Sequence, residues 1–238
     1  METLHIVRTF VVSLLTAAAF IPASFAKDPN AFAFVSKTGD FELYRKKSAG
    51  DTDLIAFRGI GLLAGTPVEV ATGILDRVHR PEWMRDVRNL RTVRILSPGH
   101  FIEYSGVKTP FIIKNRDFVI RTDVEVDSFR TKILIMSRSV KDDGAPVTSA
   151  VRGEMTEGRF FIEPGPRPGI SKITADMDVD PKGSVPLWIV NHFQKNWPIG
   201  MFFGLKTFLA RGVATLPDDL RPIFALPPES VTSRAGKP

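Results

Sequence analysis

Cysteine is absent from the 238-residue chain. That excludes disulfides, thiolate metal sites and thiol nucleophiles. Histidine is scarce: His5, His79, His100 and His192 are the four present. They form no HExxH pattern, and no acid–histidine spacing marks a metal site. A G-x-S-x-G elbow and a glycine-rich phosphate loop are missing as well. There is no block of like charge, although Lys and Arg outnumber Asp and Glu by 32 to 26, for a net charge of +6. The densest basic run, Arg77 to Arg94, is interrupted by Glu82 and Asp86. With no recognised module beside it, this charge does not point to nucleic acid. It suits an anionic surface without naming one. No internal repeat is found.

What is present begins with a leader pattern. Arg8 gives a thin positive start, Phe10 to Ile21 is an apolar run, and Ser24-Phe25-Ala26 places small residues at a cleavage site. The run is shorter than the ~20 residues that span a bilayer comfortably. The expectation is a cleaved secretory signal over residues 1–26, rather than a membrane tether. A domain over 27–226 and a loose polar tail over 227–238 would follow it. Export without disulfides is compatible with a bacterial periplasm.

Phe34 to Arg45 and Leu54 to Gly61 read as two strands. Thr66-Pro67-Val68-Glu69 opens a helix that runs to about His79, with Thr66 capping, Pro67 in the first turn and Glu69 closing a capping box. A long antiparallel series follows. Arg91 to Leu96 and Phe101 to Val107 are joined by the turn Ser97-Pro98-Gly99-His100. In Asp117 to Asp127, Phe118, Ile120, Thr122, Val124 and Val126 share one face, and Arg121, Asp123 and Glu125 the other. Thr131 to Val140 is a further strand. Val151 to Glu163 reads as two short strands around Gly158, and Ile173 to Val179 alternates. After the turn Asp180 to Gly183, a greasy helix extends to Arg211. Ser184 is a candidate cap and Pro198 a candidate kink. Its stripe comprises Ile189, Val190, Phe193 and Trp197, then Met201, Phe202, Leu205 and Phe208. Such a stripe fits either a helix packed on a core or one that roofs a cavity. Segregated helices on a large antiparallel sheet give an α+β fold.

Several pieces carry a resemblance. They are Trp83 in HRPEWMRDV, Val107 to Phe111 followed by Asn115 to Val119, Val151-Arg152, Asp180 to Pro186, and Trp188 to Asn191. In this order, from about Phe34 to Arg211, they resemble the START family of lipid-transfer domains. The resemblance implies the helix-grip fold: a curved antiparallel sheet gripping a long C-terminal helix over an apolar cavity. It also implies a non-enzymatic monomer that holds one lipid, needs no cofactor and meets an anionic membrane surface transiently.

Particular positions carry over. Arg80 matches the residue that holds the lipid phosphate in the family's phosphatidylcholine-transfer member. Ser105, Phe118 and Thr156 match its choline cage, where a single ring remains, so choline selection is not expected. Glu103 and Thr122 match the acid–arginine pair of the cholesterol-handling member, a pair broken here. A carboxylate at Glu103 inside the cavity would need a partner, for which Arg80 is the candidate; otherwise it lies near solvent at the mouth. Ile120 shares the face of Phe118, while Ile189, Phe193, Trp197 and Phe202 would supply the helix wall. Arg116 and Asp117 are expected to fix the start of their strand by neighbouring opposite charges. An enzyme of the same fold remains an alternative and would need His79, Glu103 and Asp117 to converge in the cavity. A third reading is an accessory protein whose cleft holds a partner.

Overall fold

The computed structural model describes residues 31–48, 53–109 and 113–225. The leader read at 1–26 and the tail read at 227–238 lie outside these residues. Strands β1 (Ala33–Thr38), β2 (Phe41–Lys47) and β3 (Ile55–Ala64) precede α1 (Pro67–Leu75) and α2 (Arg80–Trp83). Then come β4 (Val87–Ser97), β5 (His100–Val107), β6 (Arg116–Val126), β7 (Ile133–Ser139), β8 (Val151–Arg152), β9 (Glu154–Pro164) and β10 (Ile170–Asp180). The long helix α3 (Leu187–Leu209), a 3-10 turn (Asp218–Leu220) and α4 (Arg221–Phe224) complete the order. The strands form one sheet, β1-β2-β3-β10-β9-β7-β6-β5-β4, antiparallel except for β8, which pairs parallel with β6. No helix among the described residues is long and apolar enough to cross a membrane.

The boundaries correct some of the sequence reading. Phe34 to Arg45 is a hairpin, not one strand. Gly39 takes φ +57°, a left-handed turn that glycine adopts without strain. The break after β8 falls at Gly153, not Gly158. Helix α1 stops at Leu75, because Asp76 takes an extended backbone. Ser184 does not cap α3; Pro186 stands at its N-cap, with no side-chain cap bond. The capping box on α1 is present: Thr66 N–H donates to Glu69 Oε2 (2.7 Å) and Glu69 N–H to Thr66 Oγ1 (3.3 Å).

Strand register divides the inner face into rows. One row runs Phe101–Thr122–Ser137–Gly158–Met177–Phe57 across six strands. Its middle is made of small residues, so it stands back from the helix. The next row, Val124–Ile135–Phe160–Ala175–Gly59, is bulkier and meets the C-terminal half of α3. There Phe202 lies over Gly59, where a Cβ would come within 2.3 Å of its ring, and stacks on Phe41 at 4.7 Å between centroids. Met201, Phe202, Leu205 and Phe208 are all buried in this packed half. Helix α3 continues through Pro198. Its second half is thus anchored in core, while its first half spans the recessed row.

The anchor includes one close backbone approach. A Cβ at Gly204 would sit 2.4 Å from the carbonyl oxygen of Trp83. An alanine inside a helix ordinarily stabilises by about 1 kcal/mol over glycine. Here Gly204→Ala is expected to destabilise by about 1–3 kcal/mol, because backbone must shift. A thermal melt of the variant checks the sign.

Candidate functional site

Between the first half of α3 and the recessed row lies a cavity of about 720 Å3, within the usual range of ligand sites, roughly 300–1,000 Å3. Phe57, Ile74, Leu75, Phe101, Ile135 and Phe160 supply much of its apolar wall, and Val190, Trp197 and Pro198 its helical side. Of the residues singled out from sequence, Arg80, Glu103, Ser105 and Phe118 line it. So do Ile120, Thr122 and Trp197. The pairing explains the grouping, because Ser105 faces Phe118, Glu103 faces Ile120 and Phe101 faces Thr122 across β5 and β6.

Two of the expected wall residues are placed elsewhere. Thr156 is exposed, because the pairing of β9 with β10 slips between Asp178 and Val179 and passes over it. Met155 and Gly158 line the cavity in its stead. Alternation counted along the sequence cannot foresee a bulge. Phe202 belongs to the packed half described above. The side chains of Ile189 and Phe193 lie outside the described residues.

Two charged groups of the cavity wall, Glu103 and Arg80, belong to one network. Glu103 is 5% exposed and accepts from Arg77 Nε (2.7 Å) and Arg80 Nη1 (2.7 Å). Arg77 in turn forks onto Asp219 in the 3-10 turn, at 2.6 and 2.9 Å, and stands over the Phe101 ring at 4.3 Å. Burial alone would lower the Arg77 pKa, but Asp219 and Glu103 outweigh it and hold the guanidinium more firmly protonated. Two arginines thus meet two carboxylates. The partner proposed for Glu103 is present, and Arg77 is a second one that the sequence reading missed. The hint was available, since Arg77 lies three residues before Arg80 at the end of a helix. Two donors in the cavity wall have no protein acceptor among the described residues: Arg80 Nε and Trp83 Nε1.

Arg116 and Asp117 hold separate hydrogen-bond partners, because neighbours on a strand point to opposite faces. On the outer face Asp117 accepts from Arg152 Nε (2.6 Å), Thr148 Oγ1 (2.6 Å) and Tyr104 (3.2 Å). On the inner side Arg116 donates to the carbonyls of Lys114, Pro181 and Lys182. Each still positions the strand, but through different partners. His79 bonds Asp76 through Nδ1 at 2.7 Å and is absent from the cavity wall. With Asp117 outside and His79 elsewhere, the three groups that an enzyme reading required do not converge. No cluster of His, Asp or Glu among the described residues could hold a metal ion.

The buried carboxylates set a pH limit. Burial pushes the pKa of Asp117 up, but Arg152, Thr148 and Tyr104 more than offset it and hold it below the usual value. For Asp76 burial is likewise outweighed, by the Thr215 backbone and by His79. A lowered folded-state pKa means that the native state binds fewer protons than the unfolded chain. The stability is then full above the unfolded pKa, near 4, and drains away as pH falls through the folded value. Unfolding midpoints are expected to stay level from pH 7 to about 5 and to fall below about 4. Asp117→Asn is expected to flatten that acid limb.

The family model described as START domain matches residues 32–214. The chain belongs to the START domain family. This START domain is 28% identical over 170 residues to the phosphatidylcholine transfer protein of Bos taurus, covering 70% of this chain and 78% of that one. Its fold superposes on human StAR-related lipid transfer protein 5 with a TM-score of 0.68, at 19% identity over 78% of this chain and 89% of that one. A STAR-related lipid transfer protein from Xanthomonas axonopodis gives 0.64, at 22% identity over 75% and 98% of the two chains. The resemblance read from Trp83, the Asn115 to Val119 stretch and the start of α3 therefore holds at the level of family and fold.

Proposed function

We propose that this START domain binds one lipid in the cavity and carries it between membranes, as a monomer without catalysis. The observation that carries the reading is the apolar hollow of about 720 Å3 under the first half of α3. Each methylene withdrawn from water contributes about 0.8 kcal/mol, so an acyl chain cannot cross between membranes unprotected at any useful rate. A bilayer offers the same apolar gain as the cavity. The preference for one lipid over another therefore rests on the polar network. Arg80 and Trp83 line the cavity, and Arg80 Nε and Trp83 Nε1 have no acceptor among the described residues.

Two lipid classes compete. The phosphatidylcholine transfer protein of Bos taurus, as a relative, favours a glycerophospholipid whose phosphate Arg80 would meet. Choline would not be selected, because Ser105 offers no ring and Thr156 stands outside the cavity. The pairing of Arg77 and Arg80 with Glu103 and Asp219 favours instead a neutral sterol-like lipid, whose hydroxyl would not disturb a balanced charge network. The leader pattern over residues 1–26 supports a periplasmic location, where the basic surface would aid docking on anionic leaflets.

Donor vesicles carrying labelled lipids and unlabelled acceptor vesicles test the proposal. Transfer should rise in proportion to protein and should be confined to one of the two lipid classes. A rate equal to the protein-free control for every lipid would overturn the carrier reading.

A further inference from the structure

A second hollow, of about 520 Å3, lies beside the lipid cavity, against β5, the start of β6 and residues 148–150. It shares Arg88, Val107, Lys108 and Arg116 with the cavity wall, whereas Lys114, Asn115 and residues 148–150 line it alone. Four cations line it: Arg88, Lys108, Lys114 and Arg116. No carboxylate does. Among the described residues none of these four makes an ion pair, whereas most other arginines of the domain do. The closest acid in sequence, Asp117, is taken up by Arg152 on the outer face.

Arg116 makes this more than a basic surface patch. It is 4% exposed, and the acceptors of its guanidinium among the described residues are the uncharged carbonyls of Lys114, Pro181 and Lys182. Its guanidinium has five N–H groups, so Nη1 and Nη2 each retain one after the carbonyls of Lys114 and Lys182 are served. Burial pulls its pKa down with no anion to counter it. A buried charge is ordinarily paired, because desolvation costs several kcal/mol per ion. Lining the same hollow, Asn89 and Ser149 carry further hydrogen-bonding groups.

We infer that this hollow is a phosphate-class oxyanion site adjoining the lipid cavity. Arg116 supplies a planar donor fork for paired bonds to phosphate oxygens, and Lys108 and Lys114 supply flexible point charges around it. A doubly charged oxyanion would offset the convergence of four cations that the fold otherwise holds together. The phosphate can belong to an anionic lipid headgroup at the membrane surface or to a free phosphate ion. The former would bring this side of the domain onto the leaflet it serves.

The test uses the full chain with inorganic phosphate as probe. Phosphate should raise the melting temperature in a saturating manner, while chloride at equal ionic strength should not. Lys114→Glu/Ser149→Glu alters the hollow without touching the lipid cavity, and leaves the carbonyl contacts of Arg116 in place. It should weaken phosphate binding at least about tenfold. Lys132→Glu, at the opposite end of β6, should change nothing. Flotation with vesicles of neutral lipid, with and without phosphatidylglycerol, separates the sources. Loss of phosphatidylglycerol-dependent flotation in the double variant assigns the site to a headgroup; unchanged flotation with lost phosphate binding assigns it to free phosphate. No phosphate-specific shift in the wild type, or a shift that the double variant keeps, overturns the site. Lipid uptake from neutral vesicles, measured in the same variant, should remain normal and reports separately on the carrier proposal.

Discussion

Glu103→Ala is expected to lower the unfolding free energy by about 3–5 kcal/mol, the largest effect of any single substitution considered. Glu103 is buried and holds both Arg77 and Arg80 at 2.7 Å. Removing it leaves Arg80 with no ion-pair partner among the described residues, and Arg77 with Asp219 alone. An unpaired charge in an apolar wall costs more than the pair itself contributes, which is why breaking a buried pair is expensive while replacing it whole is cheap. Glu103→Leu combined with Arg80→Met should therefore regain much of the loss. Urea unfolding of the single and double variants measures the difference. A single-variant loss below about 1 kcal/mol would mean that the network is hydrated and weak.

The second large effect concerns the hollow itself. Ser137→Phe places a ring at the centre of the recessed row, between Thr122 and Gly158. The space that the ring fills is already empty, so stability should change by less than about 1.5 kcal/mol. Lipid occupancy should fall at least about tenfold, the equivalent of about 1.4 kcal/mol in binding. Co-purified lipid per protein reads the result. Retention of lipid at the wild-type ratio would place the ligand elsewhere.

Much of this organisation is legible in the chain, and the limits have physical causes. Local chemistry was readable: the Thr66–Glu69 capping box and the turns at Ser97 to His100 and Asp180 to Gly183 depend on a few adjacent residues. Alternation placed Phe118, Ile120 and Thr122 on one face, and parity put Glu103 and Ser105 on one side of their own strand; only the register shows that the two sets meet. Thr156, carried over from the family resemblance, lies outside the cavity because the slipped pairing of β9 with β10 passes over it. Phe202 was misplaced because the stripe of α3 is continuous in sequence, while the sheet beneath it changes from small residues to large. Only cross-strand register reveals that change, since Thr122, Ser137 and Gly158 come from three distant segments. Arg77 and Asp219 were missed because their meeting depends on where the segment after α3 returns to α1. Arg116 and Asp117, adjacent in sequence, proved to serve opposite sides of the sheet.

The most direct test of a lipid-holding cavity is native mass spectrometry of protein stripped of lipid and then incubated with mixed vesicles. The account predicts a new species heavier by one lipid, saturating at one per chain, and reduced to a trace in Ser137→Phe. A spectrum in which the folded protein stays at its bare mass after exposure to every lipid offered would contradict it.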